Sequence, residues 1–249
     1  MLADELAIIA HRGECSEAPE NSLASVKEAL AGACTAIEID VQLTQDGIPV
    51  LFHDRDCQRM FHPPMSGAIA DYHWEQLQNL ELEEHERLPG VRAPFTQLSD
   101  VVTLLINRPD VTLFIEVKRA ALERFSYAKV HEQISLAIRP IQLQCVLISF
   151  SLPFLSFARS HNGHRLGVVL GEWDWLERPE IGAISPEYIF CNLKRLPEGF
   201  LFNTGSPTWV VYEVDTPELA ARLFSQGLRQ CESFSPRQLK AAIAGKGAN

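Results

Sequence analysis

The stretch Ala36-Ile37-Glu38-Ile39-Asp40-Val41-Gln42-Leu43 sets two carboxylates among branched apolar side chains. The pattern predicts a strand. Glu38 and Asp40 are two apart, so both leave on one face. Carboxylates in a buried run are costly unless something cationic meets them. Ile48–Phe52 reads as a further strand after the turn residues Gln45-Asp46-Gly47. On the other side, Leu6–Ala10 is an apolar strand that stops at His11-Arg12-Gly13, and Asn21–Ala31 has helical spacing, with Asn21 as N-cap and Gly32 as stop signal. Downstream, Leu98–Ile106, Phe125–Ile138, Pro153–Ser160 and Pro217–Gln226 read as helices. Thr112–Val117, Gln144–Phe150, Leu166–Leu170, Tyr188–Cys191 and Trp209–Val214 read as strands. This alternation indicates a parallel α/β sheet, and roughly eight such units favour a closed (β/α)8 TIM barrel over an open sheet. Nucleotide-binding α/β folds lose their usual support, because neither G-x-G-x-x-G nor G-x-x-x-x-G-K occurs.

The segment of about 54–95 is less regular, with a polar helical patch around Trp74–Glu84. It reads as a small insertion after the third strand, too poor in apolar residues for its own core, within a single barrel domain spanning 1–249. The chain has 249 residues and a formal net charge of −10. Its field gives no help in meeting nucleic acid or an anionic membrane, so an anionic substrate needs a local positive site. Cys15, Cys34, Cys57, Cys145, Cys191 and Cys231 form no C-x-x-C pair, which suits a reducing compartment. Met1–Leu6 lacks the features of a signal peptide and no apolar run is long enough to span a bilayer. The expectation is a cytoplasmic protein without stable membrane insertion and with no nucleic-acid partner.

The chemistry-bearing residues share one place in the pattern. His11 and Arg12 follow the first strand, Glu38 and Asp40 lie in the second, His53 and Asp54 follow the third, and Glu116 and Lys118 close the fourth. In a parallel barrel these strand ends face one catalytic rim. Two readings of the carboxylates stand: interior acids salt-bridged to Arg12 or Lys118, or a divalent-cation site completed by Glu116. An all-carboxylate set suits Ca2+ or Mg2+ rather than zinc. Two histidines on a rim that carries three acids favour acid–base chemistry over a structural role. Arg12 and Lys118 meet the need for positive charge beside a phosphate. His62, His73, His85, His131, His161 and His164 read as surface residues, and the tail from Gly245 as frayed.

The ordered motifs His11-Arg12-Gly13, Ala18-Pro19-Glu20-Asn21-Ser22, Glu38-Ile39-Asp40-Val41, Thr44-Gln45-Asp46-Gly47, His53-Asp54 and Glu116-Val117-Lys118 resemble the glycerophosphodiester phosphodiesterase family. The likeness is strongest up to Lys118, with weaker echoes at Ser149-Phe150 and from Val210 to Gly227. It implies a TIM barrel, and metal-dependent hydrolysis of small-molecule glycerophosphodiesters to glycerol 3-phosphate and an alcohol. It implies acid–base roles for His11 and His53, metal binding by Glu38, Asp40 and Glu116, and phosphate contact by Arg12 and Lys118. The chain departs from the family pattern at Ser22, at Pro94-Phe95-Thr96, at Glu213 and Asp215 after Tyr212, and at Ser233-Phe234. These departures bear on the substrate's alcohol more than on reaction type. One rival is a lysophospholipase D on the same barrel, with Phe61, Trp173 and Trp175 offering an apolar approach or serving as loop anchors. The other is a non-catalytic ligand-binding barrel.

Overall fold

Five apolar or β-branched runs that the sequence predicts as strands, together with the strands Ala7–His11 and Ala36–Leu43 and one unanticipated strand, curl into a closed cylinder. The computed structural model describes residues 5–246 apart from 85, 162 and 204, so His85, positions 1–4 and positions 247–249 lie outside the described residues. Strand β1 (Ala7–His11) is followed by helix α1 (Leu23–Ala31) and β2 (Ala36–Leu43). β3 (Pro49–Leu51), β4 (Phe61–His62), α2 (Trp74–Leu77), β5 (Glu81–Glu83), β6 (Arg92–Pro94) and α3 (Leu98–Leu105) come next. The remainder runs β7 (Thr112–Val117), α4 (Arg119–Arg124), α5 (Tyr127–Ile138), β8 (Cys145–Ser149), α6 (Leu152–His161), β9 (Arg165–Val169), α7 (Pro179–Ile184), β10 (Tyr188–Asn192), β11 (Thr208–Tyr212), α8 (Pro217–Ser225), β12 (Gln230–Ser233) and α9 (Pro236–Lys246). Parallel pairing runs β1-β2-β7-β8-β9-β10-β11-β12 and closes back on β1. The fold is an eight-stranded parallel barrel, as the alternation of elements predicts.

Several expectations are corrected. β3 is no barrel strand: it runs antiparallel to β2, with Val41 opposite Leu51 and Leu43 opposite Pro49. β2 therefore overshoots the barrel mouth and β3 folds back along it. Asn21 is not the cap of α1. Ser22 is, in a reciprocal pair with Ser25 (Ser25 N to Ser22 Oγ 3.0 Å, Ser22 N to Ser25 Oγ 3.3 Å). Phe125 ends α4 rather than beginning α5, whose cap is Ser126. The polar patch after Trp74 is helical only to Leu77, and Glu81–Glu83 pairs in a three-stranded antiparallel sheet with β4 and β6. The insertion also has an apolar cluster of its own, in which Cys57, Met60, Phe61, Ile69, Leu77 and Leu82 meet Val50, Phe52 and Phe95. All six cysteines are free and buried. His131 and His164 are buried and not on the surface: their rings lie 5.4 Å apart between α5 and the approach to β9. No helix among the described residues is long and apolar enough to cross a membrane.

The barrel interior is built in layers, because side chains alternate along each strand and alternate strands fill each level. The lower interior is apolar: Ile9, Phe114 and Val210 with Gly167 form one level. Gly167 has no room for a side chain, since a Cβ there would stand 2.8 Å from Ile148 Cγ2. The next level takes Glu38, Ile148, Phe190 and Glu232 from β2, β8, β10 and β12. Above it stand His11, Glu116, Val169 and Tyr212. The interior thus changes from hydrocarbon to acid and base within two levels of the mouth.

Candidate active site

Each proposed site residue is held by its own piece of backbone. β1 ends on His11, and the chain then turns through positive φ at Arg12 (58°) and Gly13 (89°). Gly13 is required, because a Cβ would meet the Ser25 Oγ at 2.3 Å and backbone at 2.7 Å. Arg12 stays in its unfavourable conformation because its carbonyl accepts from Asn21 N (3.0 Å) and Ser25 Oγ (2.9 Å). Asn21, also at positive φ, faces inward. Its side chain clasps Asp40, donating from Nδ2 to Oδ2 (2.9 Å) and accepting from Asp40 N (2.9 Å). That role explains why Asn21 leaves the cap to Ser22.

The charges are paired in a definite order. Arg12 reaches Glu20 Oε1 (2.9 Å) and Asp40 Oδ2 (3.2 Å), and its backbone N–H donates to Glu38 Oε2 (3.1 Å). Lys118 Nζ bridges Asp40 Oδ1 (3.0 Å) and Glu116 Oε1 (2.7 Å). Arg59, from the insertion, binds Asp54 Oδ2 (2.7 Å) and Glu20 Oε1 (2.6 Å). Burial alone would raise the Asp40 carboxyl, but Lys118 and Arg12 outweigh it and hold it well below the usual carboxylate range. Glu38 goes the other way: burial raises it, and Asp40, Glu232 and Glu116 raise it further.

The two histidines differ. His11 is 8 % exposed and stacks on Phe234 at 4.4 Å between centroids. Its Nε2 lies 3.8 Å from Glu38 Oε2 and its Nδ1 has no hydrogen-bond partner. Burial, with Arg12 next, pushes its pKa well down, so the ring is neutral near pH 7. His53 reaches the mouth on the β2–β3 fold-back, where Phe52 N bonds Asp40 O (3.0 Å). Its Nδ1 bonds the Asp54 carboxylate at 2.8 Å, which fixes Nδ1 as the donor. Burial raises Asp54, but the bonds from His53 and Arg59 outweigh this and hold it well below the ordinary range.

His11, Arg12, Glu38, His53, Glu116 and Lys118 all line one cavity of about 80 Å³ at the barrel mouth, with Ile148, Phe150, Val169 and Phe190 as an apolar wall. It meets an open cleft of about 740 Å³ along His53, Glu116, Lys118 and Phe150. All seven residues predicted for the site are therefore brought together, Asp40 lying beneath Arg12 and Lys118. Sequence reasoning places Asp54 on the rim without a role, and misses two further residues. Asp54 bonds His53 Nδ1, and Arg59, which carries no motif, holds Asp54. Glu232, 3 % exposed on β12, lines the same cavity. Burial, Glu116 and Asp40 raise its carboxyl well above the usual value. The departing Glu213 lines the cavity rim, while Asp215 accepts from Ser233 Oγ (2.6 Å) and Phe234 N (3.1 Å). Phe61, Trp173 and Trp175 are loop anchors: Phe61 is in the insertion's cluster, Trp173 stacks on Trp209, and Trp175 packs over Gly171.

The acids suit a hard divalent cation. Glu38, Asp40 and Glu116 each offer an oxygen within 4.8 Å of the others. Glu38 Oε1 is buried without a partner, which is what a carboxylate awaiting a cation looks like. Asp40 already gives both oxygens to Lys118, Arg12 and Asn21, so it is the most heavily shared of the three. A second compact group, Glu20, His53 and Asp54, is already neutralised by Arg12 and Arg59.

Residues 11–180 match the model of the glycerophosphoryl diester phosphodiesterase family. The chain belongs to that family. It is similar to glycerophosphodiester phosphodiesterase 1 of Mus musculus, 37% identical over 119 residues, a match covering 46% of this chain and 34% of the mouse protein. The chain thus spans about a third of that relative's length. It is 28% identical over 202 residues to a glycerophosphodiester phosphodiesterase of Caldanaerobacter subterraneus, covering 77% of this chain and 79% of the relative. Among solved structures it is similar in fold to an Oleispira antarctica phosphodiesterase in complex with the product sn-glycerol-3-phosphate (TM-score 0.78, 22% identity, 95% of this chain and 96% of the other). A glycerophosphodiester phosphodiesterase from Parabacteroides distasonis matches with TM-score 0.75 at 19% identity over 98% of both chains. Members of this family share the (β/α)8 barrel described above.

Proposed function

We propose that this chain hydrolyses glycerophosphodiesters, a class of small-molecule phosphodiester, to sn-glycerol 3-phosphate and an alcohol, with His11 and His53 as its acid–base pair. What supports the reading is the one cavity that both rings line together with Arg12 and Lys118. The glycerol 3-phosphate bound to the Oleispira phosphodiesterase is the product expected here.

Arg12 and Lys118 hold the phosphate and spread its charge. His11, neutral at the working pH, takes the proton from the attacking hydroxyl, supplied by water or by the glycerol 2-position. His53, with Asp54 behind its Nδ1–H, hands a proton to the leaving alkoxide as the bond from phosphorus to the alcohol oxygen breaks. Attack by the 2-hydroxyl gives a cyclic phosphate, which water then opens. A divalent cation, Mg2+ or Ca2+, held by Glu38, Asp40 and Glu116, would supply Lewis-acid polarisation of the phosphoryl group.

The test is release of glycerol 3-phosphate from glycerophosphocholine, glycerophosphoethanolamine and glycerophosphoglycerol, with chelator and with Mg2+ or Ca2+ restored. We expect release from at least one of them, loss with chelator, and recovery with the ion. No release under any of these conditions would overturn the reading, and release indifferent to chelator would remove the cation from it. Lysophosphatidylcholine in parallel would expose a phospholipase D activity.

A further inference from the structure

The charges near the cavity do not come out even. Arg12 is engaged by Glu20 and Asp40, Lys118 by Asp40 and Glu116, and Arg59 by Glu20 and Asp54. That leaves Glu38 and Glu232, 2 % and 3 % exposed, with no basic side chain among the described residues close enough to pair except a neutral His11. Each keeps Oε1 buried and unpartnered. Both belong to one level of the barrel interior, the level completed by Ile148 and Phe190. They are consecutive in that level, on β2 and β12, with β1 between them. Interior levels of such barrels are ordinarily branched and apolar, and here half of one level is carboxylate. The acids face the same cavity of about 80 Å³ as Glu116 and the buried Tyr212 hydroxyl, which is also unpartnered. Two adjacent buried carboxylates without a counter-charge are costly, and one dication offsets both.

We propose that Glu232 is a further cation-ligating carboxylate, facing Glu38 and Glu116 from the last barrel strand. Glu232 is not in the compact group formed by Glu38, Asp40 and Glu116. Asp40 is shared with Lys118, Arg12 and Asn21, however, whereas Glu232 has an unpartnered oxygen to offer. Arg12 and Lys118 anchor Asp40, and Glu232 would add a carboxylate oxygen to those that Glu38, Asp40 and Glu116 offer. The oxygens supplied are all carboxylate, which selects Ca2+, Mg2+ or Mn2+ over softer ions.

The inference rests on the cation-site reading given under Proposed function, and the experiment separates the two. Ca2+ and Mg2+ are titrated calorimetrically into the full chain, stripped with chelator, as wild type, Glu232→Gln, Glu232→Ile and Glu116→Gln. Thermal unfolding of each is followed with and without the ion. We expect Glu116→Gln and both Glu232 variants to bind at least ~10-fold more weakly than wild type. Without ion, the Glu232→Ile variant should melt above wild type, because a buried acid with an unpartnered oxygen is gone, and the ion should raise wild type more than it raises either Glu232 variant. Wild-type affinity in a folded Glu232 variant, with binding lost in Glu116→Gln, would overturn the role of Glu232 and leave the three-carboxylate site standing. No uptake by wild type would overturn both. Weakening in the Glu232 variants alone would keep Glu232 and remove Glu116 from the ligand set.

Discussion

His11 and His53 line one cavity, yet the molecule builds them by different means. His11 ends a barrel strand, lies almost fully covered, and leans on Phe234 at 4.4 Å. His53 is carried by a hairpin outside the ring of parallel strands, with its side chain 34% exposed, and is held by Asp54 at 2.8 Å. Burial keeps the first neutral, so it is ready to accept a proton. A carboxylate backs the second and sets which ring nitrogen donates. The difference teaches that depth and partner alone can give one side-chain type two environments, suited to the two proton-transfer tasks proposed here.

The largest effects should come from removing either ring. His11→Ala and His53→Ala should each slow glycerol 3-phosphate release by at least ~10²-fold with folding intact, and His11→Ala should also flatten one limb of the pH–rate profile. Near-normal turnover in either variant would break the pairing. Asp54→Ala should act on His53 alone, lowering kcat on the order of 10-fold with a smaller change in KM. An equal effect on substrate binding would mean that Asp54 does not act through the ring.

Acid should reveal the same carboxylate as a stability term. Asp54 is held below its unfolded value, so its contribution is fully present above a pH of about 4 and fades as pH falls through the folded value. The gap in urea midpoint between wild type and Asp54→Asn should therefore be positive at pH 7, worth about 1 kcal/mol or less at this exposure, and shrink toward pH 3. A gap that widens on acidification would reverse the assignment. The smallest effect belongs to the other ring. Phe234→Leu should cost about 1 kcal/mol from lost stacking, measured by urea unfolding, and should shift only the limb of the pH profile that His11→Ala removes.

Much of this was legible in the residues because the decisive stretch is self-consistent. Ala36–Leu43 is a strand with the bounds read from its alternation, and Thr112–Val117 likewise. The seven proposed site residues were legible because each lies at the end of an apolar run or, for Glu38 and Asp40, breaks one. What the sequence hid was geometry that apolarity does not encode. Gln230–Ser233 closes the barrel with a polar run, Gln-Cys-Glu-Ser, so both the strand and Glu232 went unread. Ile48–Phe52 looks like any strand, and only pairing direction separates a hairpin return from a barrel stave. Asn21 has the right chemistry for a cap but is recruited by Asp40, a contact 19 residues away.

The fold-back of β3 along β2 has one more consequence. It sets the two halves of the proposed acid–base pair on different stability units: the closed ring of eight strands, and the β3 return, whose Val50 and Phe52 pack into the insertion's own apolar cluster. Units of this kind open separately, the smaller at lower cost. Gentle heating or dilute denaturant should then part His53 from His11 while the ring stays shut. Turnover would vanish reversibly at a seam, well before the barrel itself gives way.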